Sequence, residues 1–155
     1  HLIEPKKLIV VFGKDILEKF IIKEANQFKN LLFFNRFITE SEKKLILQNA
    51  TAYLFPSVSE SETLGLTQIE ALSQGCPVIN TNIKTAVPFV SIEGKTGKTI
   101  TSNNHFELSN AINEFPKRGS KKWENYSKRA IERYNKFFSV EVFKKKMSDL
   151  VKKIN

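Results

Sequence analysis

The chain has 155 residues, 41% of them hydrophobic, 11% aromatic and 26% charged. That is one domain's length and a globular composition, which excludes a disordered or collagen-like chain; no apolar run reaches the roughly 18 residues a membrane-spanning helix needs. The net charge of +9 sits wholly in residues 117–155, which carry 13 basic and 4 acidic side chains against 12 of each in residues 1–116.

In chain order, Leu8–Phe12 (LIVVF) reads as a strand buried on both faces, and Asp15–Lys29 carries Ile16, Leu17, Phe20, Ile21, Ala25 and Phe28 on a 3.6-residue stripe. Leu31–Phe34 is a second strand. Thr39 followed by Glu42 forms a capping-box pattern that opens a helix to about Asn49. Ala52–Pro56 is a third strand, Leu66–Gln74 a short helix ended by Gly75, Pro77–Asn80 a fourth strand and Gly97–Ile100 a fifth. From Asn104 onward the pattern is helical, with breaks near Pro116–Ser120 and at Ser139, a candidate cap. His105 reads as a surface cap. Strands alternating with helices over short connections predict an α/β fold with a parallel sheet covered on both faces. In such sheets ligands bind beyond the carboxyl ends of the strands.

Cys76 is the only cysteine, so no internal disulfide forms, and with His1 and His105 it cannot make a four-ligand zinc site. It reads as a small buried hydrophobe in a reducing compartment. The chain starts at His1, not Met, and is expected to be a processed product or a piece of a longer protein. For the basic tail a solvated helix face comes first, an anionic membrane surface second and nucleic acid last. Trp123, Tyr126, Tyr134, Phe137 and Phe138 fall at helical spacings suited to docking on a core.

The unusual stretch is Phe55–Ile79, FPSVSESETLGLTQIEALSQGCPVI. It places Glu60 and Glu62 in a loop, then Gly65, then a helix bearing Glu70. A helix amino terminus presents unpaired N–H groups and partial positive charge, a site for phosphate, and ionised carboxylates accept hydrogen bonds from sugar hydroxyls. Together they suit a ligand with a phosphate and several hydroxyls. Lys14, after Gly13, is within reach of a phosphate, with a solvated loop lysine as the plainer reading. The spacing of Glu62 and Glu70 alone has little force, since Glu124 and Glu132 repeat it.

The longer string, Phe55-Pro56-Ser57, Glu62, Gly65-Leu66, Glu70-Ala71, Gly75, Pro77-Val78-Ile79, Gly94 and Gly97, resembles the carboxy-terminal domain of family 4 retaining glycosyltransferases. The resemblance runs from about Leu8 to Ile154. It implies a Rossmann-like parallel sheet with helices on both faces, one half of a two-domain (GT-B) architecture with a helical carboxy-terminal tail. Residues 1–116 would be the donor domain without its first strand–helix unit, and 117–155 basic helices packed on it. Pro77–Ser91 further resembles bacterial members that build surface polysaccharides, often mannosyl- or rhamnosyltransferases.

By the resemblance, Glu62 faces the donor sugar near its reacting carbon and Glu70 holds the ribose hydroxyls. Thr63, Leu64, Gly65 and Leu66 supply backbone N–H groups to the sugar and diphosphate. Ile38 meets the nucleobase through its backbone, and Lys43 lies near that edge. The implied substrate is a UDP- or GDP-sugar, with no cofactor and no metal; Asp15 and Asp149 are the only aspartates and form no Asp-x-Asp pair. The implied partners are a glycan or lipid-linked acceptor and an amino-terminal domain, with an anionic membrane surface as a further one and no nucleic acid. The implied location is cytoplasmic, with a peripheral place at the inner face of the membrane as its variant. The fragment alone is expected to be inactive. The alternative is a non-catalytic nucleotide- or anion-binding module of the same fold. Four features depart from the family pattern: a Ser57–Glu62 loop two residues longer, which lets Glu60 compete with Glu62; Arg36 in place of a common Gly; Thr85-Ala86 in place of two glycines; and Phe89 where a further Glu is common.

Overall fold

The computed structural model describes residues 2–13 and 18–154. Its elements are β1 (Ile9–Phe12), α1 (Glu18–Gln27), β2 (Leu31–Phe34), α2 (Glu40–Asn49), β3 (Tyr53–Phe55), α3 (Leu66–Ser73), β4 (Val78–Thr81), α4 (Val87–Val90), β5 (Gly97–Ile100), α5 (His105–Asn113), α6 (Lys121–Phe137) and α7 (Val140–Ile154). Lys14 and the start of the helix expected from Asp15 lie outside the described residues. All strand pairs among those residues are parallel, β1 with β2 and β3–β4–β5 in that order, so the sheet is hydrogen-bonded in two pieces. The short α4 has no counterpart in the periodicity, because four residues with Pro88 in the first turn are too few to carry a stripe.

All four residues of the central strand, β4, are buried, as a parallel strand flanked on both faces requires. β1 departs from the same expectation. Val10, Leu32 and Phe34 are 40–42% exposed, while Phe12 and Phe34 stack at 5.0 Å. Val10 pairs with Leu32 and Phe12 with Phe34, so these side chains share one face, which no described helix covers. An apolar run tells that a strand can be buried on both sides; whether a partner arrives there is settled elsewhere in the chain.

The tail's aromatic residues dock largely as their spacing predicts. Trp123, Tyr126 and Ala130 of α6 are buried, Tyr134 and Phe138 pack beside them, and Trp123 Nε1 donates to the Thr51 carbonyl at 2.7 Å. α7 packs on α6 yet leaves Val140, Phe143, Met147, Leu150 and Val151 at 45–63% exposure. Ser139 caps α7 by accepting from the Val142 N–H, whereas at α5 the cap is Asn104, not His105. Cys76 is buried, and burial pushes its thiol up to about 12.

The capping box at α2 forms in both directions: Thr39 Oγ1 accepts from the Glu42 N–H and Glu42 Oε2 accepts from the Thr39 N–H. Arg36 grips the same carboxylate through two nitrogens, at 2.7 and 3.1 Å. These bonds hold the Glu42 carboxyl at about 2, below its ordinary 4.5. A depressed carboxyl contributes its stability above the unfolded value and loses it as pH falls through the folded one. The amino end of α2 should therefore stay ordered at pH 4 and loosen only towards pH 2. A carbon-detected carboxyl titration checks this: Arg36→Ala should move the Glu42 midpoint up, and an unchanged midpoint would show that the guanidinium is not its cause.

Candidate functional site

The site begins where β3 ends. Thr81 Oγ1 of β4 donates to the Ser57 carbonyl at 2.6 Å, which fixes the start of the loop, and the Glu62 N–H donates to the Ser59 carbonyl at 3.1 Å, which tightens it. Glu60 projects into solvent. Glu62 is half-buried and turned towards α3, where its Oε1 accepts from the Gly65 N–H at 2.9 Å.

Gly65, at the N-cap of α3, has φ +71°, in the left-handed region. A Cβ there would stand 2.8 Å from the Phe55 ring and 2.7 Å from Gln68 Nε2. The loop therefore passes so close to β3 and α3 that only glycine fits. On either side of it, the N–H groups of Thr63, Leu64 and Leu66 carry no hydrogen bond among the described residues. Thr63 and Leu66 are exposed and Leu64 half-buried.

A buried polar cluster holds this geometry from below. Asn80, in the middle of β4, donates to Gln68 Oε1 of α3 and to the Val87 carbonyl of α4, both at 3.0 Å, and accepts from Thr99 Oγ1 of β5 at 2.8 Å. Gln68 in turn donates to the Leu64 carbonyl at 3.2 Å, and the Ala86 N–H at the start of α4 donates to the Thr63 carbonyl at 2.9 Å. Fully satisfied networks of this kind specify one arrangement of the elements they join. Sequence reading missed Asn80 and Gln68; a polar residue inside the otherwise apolar strand PVIN was the available signal.

Glu70 lies one turn into α3 and is half-buried. Lys43 of α2 reaches its Oε1 at 3.0 Å and also holds Glu40 at 2.9 Å. Those two carboxylates raise the Lys43 ammonium above its ordinary value, Glu40 having the larger effect. The other oxygen, Glu70 Oε2, is shut off from solvent and accepts no hydrogen bond among the described residues. A carboxylate oxygen left so is short of a donor. At Tyr53 of β3, a further residue sequence reading passed over, burial raises the hydroxyl above its ordinary value, and the nearby carboxylates of Glu70 and Glu62 add to the effect.

Thus Glu62, Thr63, Leu64, Gly65, Leu66, Glu70 and Lys43 are drawn into one neighbourhood. Ile38, half-buried, lies between β2 and α2, one residue before the cap of the helix that supplies Lys43. Its neighbour Phe37 is 77% exposed. Lys14 lies outside the described residues. The arrangement can take negative charge on free N–H groups and hydroxyl donors on a carboxylate held in place by an ammonium.

Residues 3–133 match the family model described as glycosyl transferases group 1. The chain is 26% identical over 136 residues to the D-rhamnosyltransferase WbpZ of Pseudomonas aeruginosa, covering 84% of this chain and 34% of that protein. It is 26% identical over 141 residues to the O-antigen chain mannosyltransferase C of Escherichia coli, covering 86% and 36%. It therefore spans about a third of the length of the curated relatives it matches. Among solved structures it superposes on Anabaena HepE, solved in complex with UDP-glucose, with a TM-score of 0.81 at 15% identity over 97% of this chain and 42% of that one. At that identity the likeness is one of fold.

Proposed function

Because the chain belongs to the group 1 glycosyltransferases, we propose that it is the donor-binding part of a retaining enzyme. That enzyme would move a sugar from a nucleoside diphosphate to a glycan or lipid-linked acceptor in bacterial surface polysaccharide synthesis. The observation that carries this reading is Glu70: one oxygen is held by Lys43, the other is closed to solvent and unpartnered. A ribose hydroxyl would supply the missing donor. The names of the relatives, a rhamnosyl- and a mannosyltransferase, and the UDP-glucose of HepE support the donor class.

In this reading the free N–H groups at Thr63, Leu64 and Leu66, with the α3 dipole behind them, stabilise the charge that grows on the departing diphosphate. Glu62 positions sugar hydroxyls and sets negative charge beside the cationic, oxocarbenium-like carbon. Its bond from the Gly65 N–H pre-orients it there. Ile38 meets the base through its backbone, and Lys43 fixes Glu70. The reaction needs no cofactor and no metal on this account.

An amide NMR titration of the chain with UDP and GDP tests the donor site. Shifts should concentrate at Ile38–Lys43 and Thr63–Glu70 and be stronger for one base. Glu70→Ala should weaken that nucleotide about 10- to 100-fold, since a hydrogen bond to a charged group is worth about 1.5–3 kcal/mol. Shifts from neither nucleotide at millimolar concentration, or an unaltered affinity in Glu70→Ala, would overturn the assignment.

A further inference from the structure

A second hollow lies at the opposite end of the strands, independent of the donor reading. The donor loops leave the carboxyl ends of the strands; a hollow of about 180 Å³ opens at the amino end of β5, between the turn Ile92–Thr96 and the carboxy-terminal half of α6. Lys95, Arg129, Arg133 and Lys136 line it, with Glu132 the one acid. Arg129, Glu132, Arg133 and Lys136 stand at i, i+3, i+4 and i+7, on one face of α6.

Part of this charge has a structural use. Arg133 Nε donates to the Val90 carbonyl at 2.8 Å and Nη2 to the Phe89 carbonyl, and its guanidinium sits 4.9 Å from the Phe89 and Phe137 rings. It thereby holds the carboxyl end of α4, with Phe89 in the place where the family commonly has Glu. Lys136, in the last turn of α6, suits the helix dipole. The fold makes no such use of the other two. The side chains of Lys95 and Arg129 have no ion pair or hydrogen bond among the described residues, the Lys95 N–H donating to the Ile92 carbonyl only as part of the turn, and Glu132 pairs at 3.9 Å with Lys128. Arg129 and Arg133, four apart, repel one another and weaken the helix that carries them. Four cations gathered around one hollow, facing a single carboxylate that is already paired, leave a deficit of negative charge.

We propose that this cleft binds a phosphate-bearing ligand, through Lys95, Arg129 and Lys136 with Arg133 as its fixed floor. Guanidinium and ammonium groups match phosphate oxygens in charge and donor geometry. The phosphate could be carried by an anionic lipid headgroup or by a soluble phosphate ester.

The test uses the isotope-labelled chain and its Arg129→Glu/Lys136→Glu double variant, which leaves Arg133 and its hold on α4 intact. Pyrophosphate, against sodium chloride of equal ionic strength, should give saturable shifts at Lys95, Thr96 and residues 129–136. The double variant should weaken them about tenfold or more, as charge-assisted contacts become repulsions. Sedimentation with phosphatidylglycerol–phosphatidylcholine vesicles separates the sources. Retention that pyrophosphate competes away means a lipid headgroup; saturable pyrophosphate shifts without retention mean a soluble ester. The proposal is overturned if chloride reproduces the shifts or if the double variant binds pyrophosphate as the wild type does. A single-stranded oligonucleotide that binds more tightly than pyrophosphate, with shifts spread along α6 and α7, would overturn it too.

Discussion

Gly97→Ala should abolish cooperative folding. Gly97 opens β5 and pairs with Val78, and a Cβ there would run into the Val78 carbonyl oxygen and stand 2.8 Å from its nitrogen. The obstacle is backbone at the centre of the sheet, so no side chain can rotate out of the way. The change therefore exceeds the about 1–3 kcal/mol typical of overpacking and approaches the whole stability of a small domain, about 5–15 kcal/mol. Lys98→Ala, one residue on and half-exposed, should stay within about 0.5 kcal/mol. Thermal denaturation followed by circular dichroism measures both. A Gly97→Ala protein melting within a few degrees of the wild type would show that β4 and β5 do not lie in this register.

Glu62→Gln, made in an active transferase that contains this chain, should lower turnover about 10²- to 10³-fold, the effect of removing one group that stabilises transition-state charge. Nucleotide affinity should hardly move. The amide oxygen of Gln can still accept from the Gly65 N–H, so the loop keeps its shape while the negative charge is lost. Glutamine thus isolates charge, where alanine would also remove the bond to Gly65. Glu60→Gln is the control: Glu60 is exposed and should leave both quantities alone. Normal turnover in Glu62→Gln, or a loss in Glu60→Gln instead, would reverse the roles of the two glutamates.

Much of this was legible in the chain itself, for a local reason in each case. The helical spacing of the tail's aromatics foretold the burial of Trp123 and Tyr126 and the packing of Tyr134 and Phe138, because a helix has one face to bury. Thr39 and Glu42 foretold their own hydrogen bonds because a capping box closes within four residues. The string from Phe55 to Ile79 marked the loop and helix of the candidate site, and Glu62, not Glu60, is the glutamate that faces the helix.

What only the tertiary structure decided are the meetings between distant segments. Lys43 stands 27 residues before Glu70, and no local pattern says that α2 will lay its ammonium on that carboxylate and leave the second oxygen unpartnered. The exposed face of β1 and β2 is of the same kind: LIVVF specifies a strand fit for burial, but exposure depends on which element packs against it. So too with Arg129 and Lys95, ordinary surface cations in sequence, which become a site when α6 and the turn before β5 enclose one hollow. Propensity, capping and periodicity act over a few residues and can be read along the chain. Charge pairing and cover act through space, and their partners are chosen by the fold.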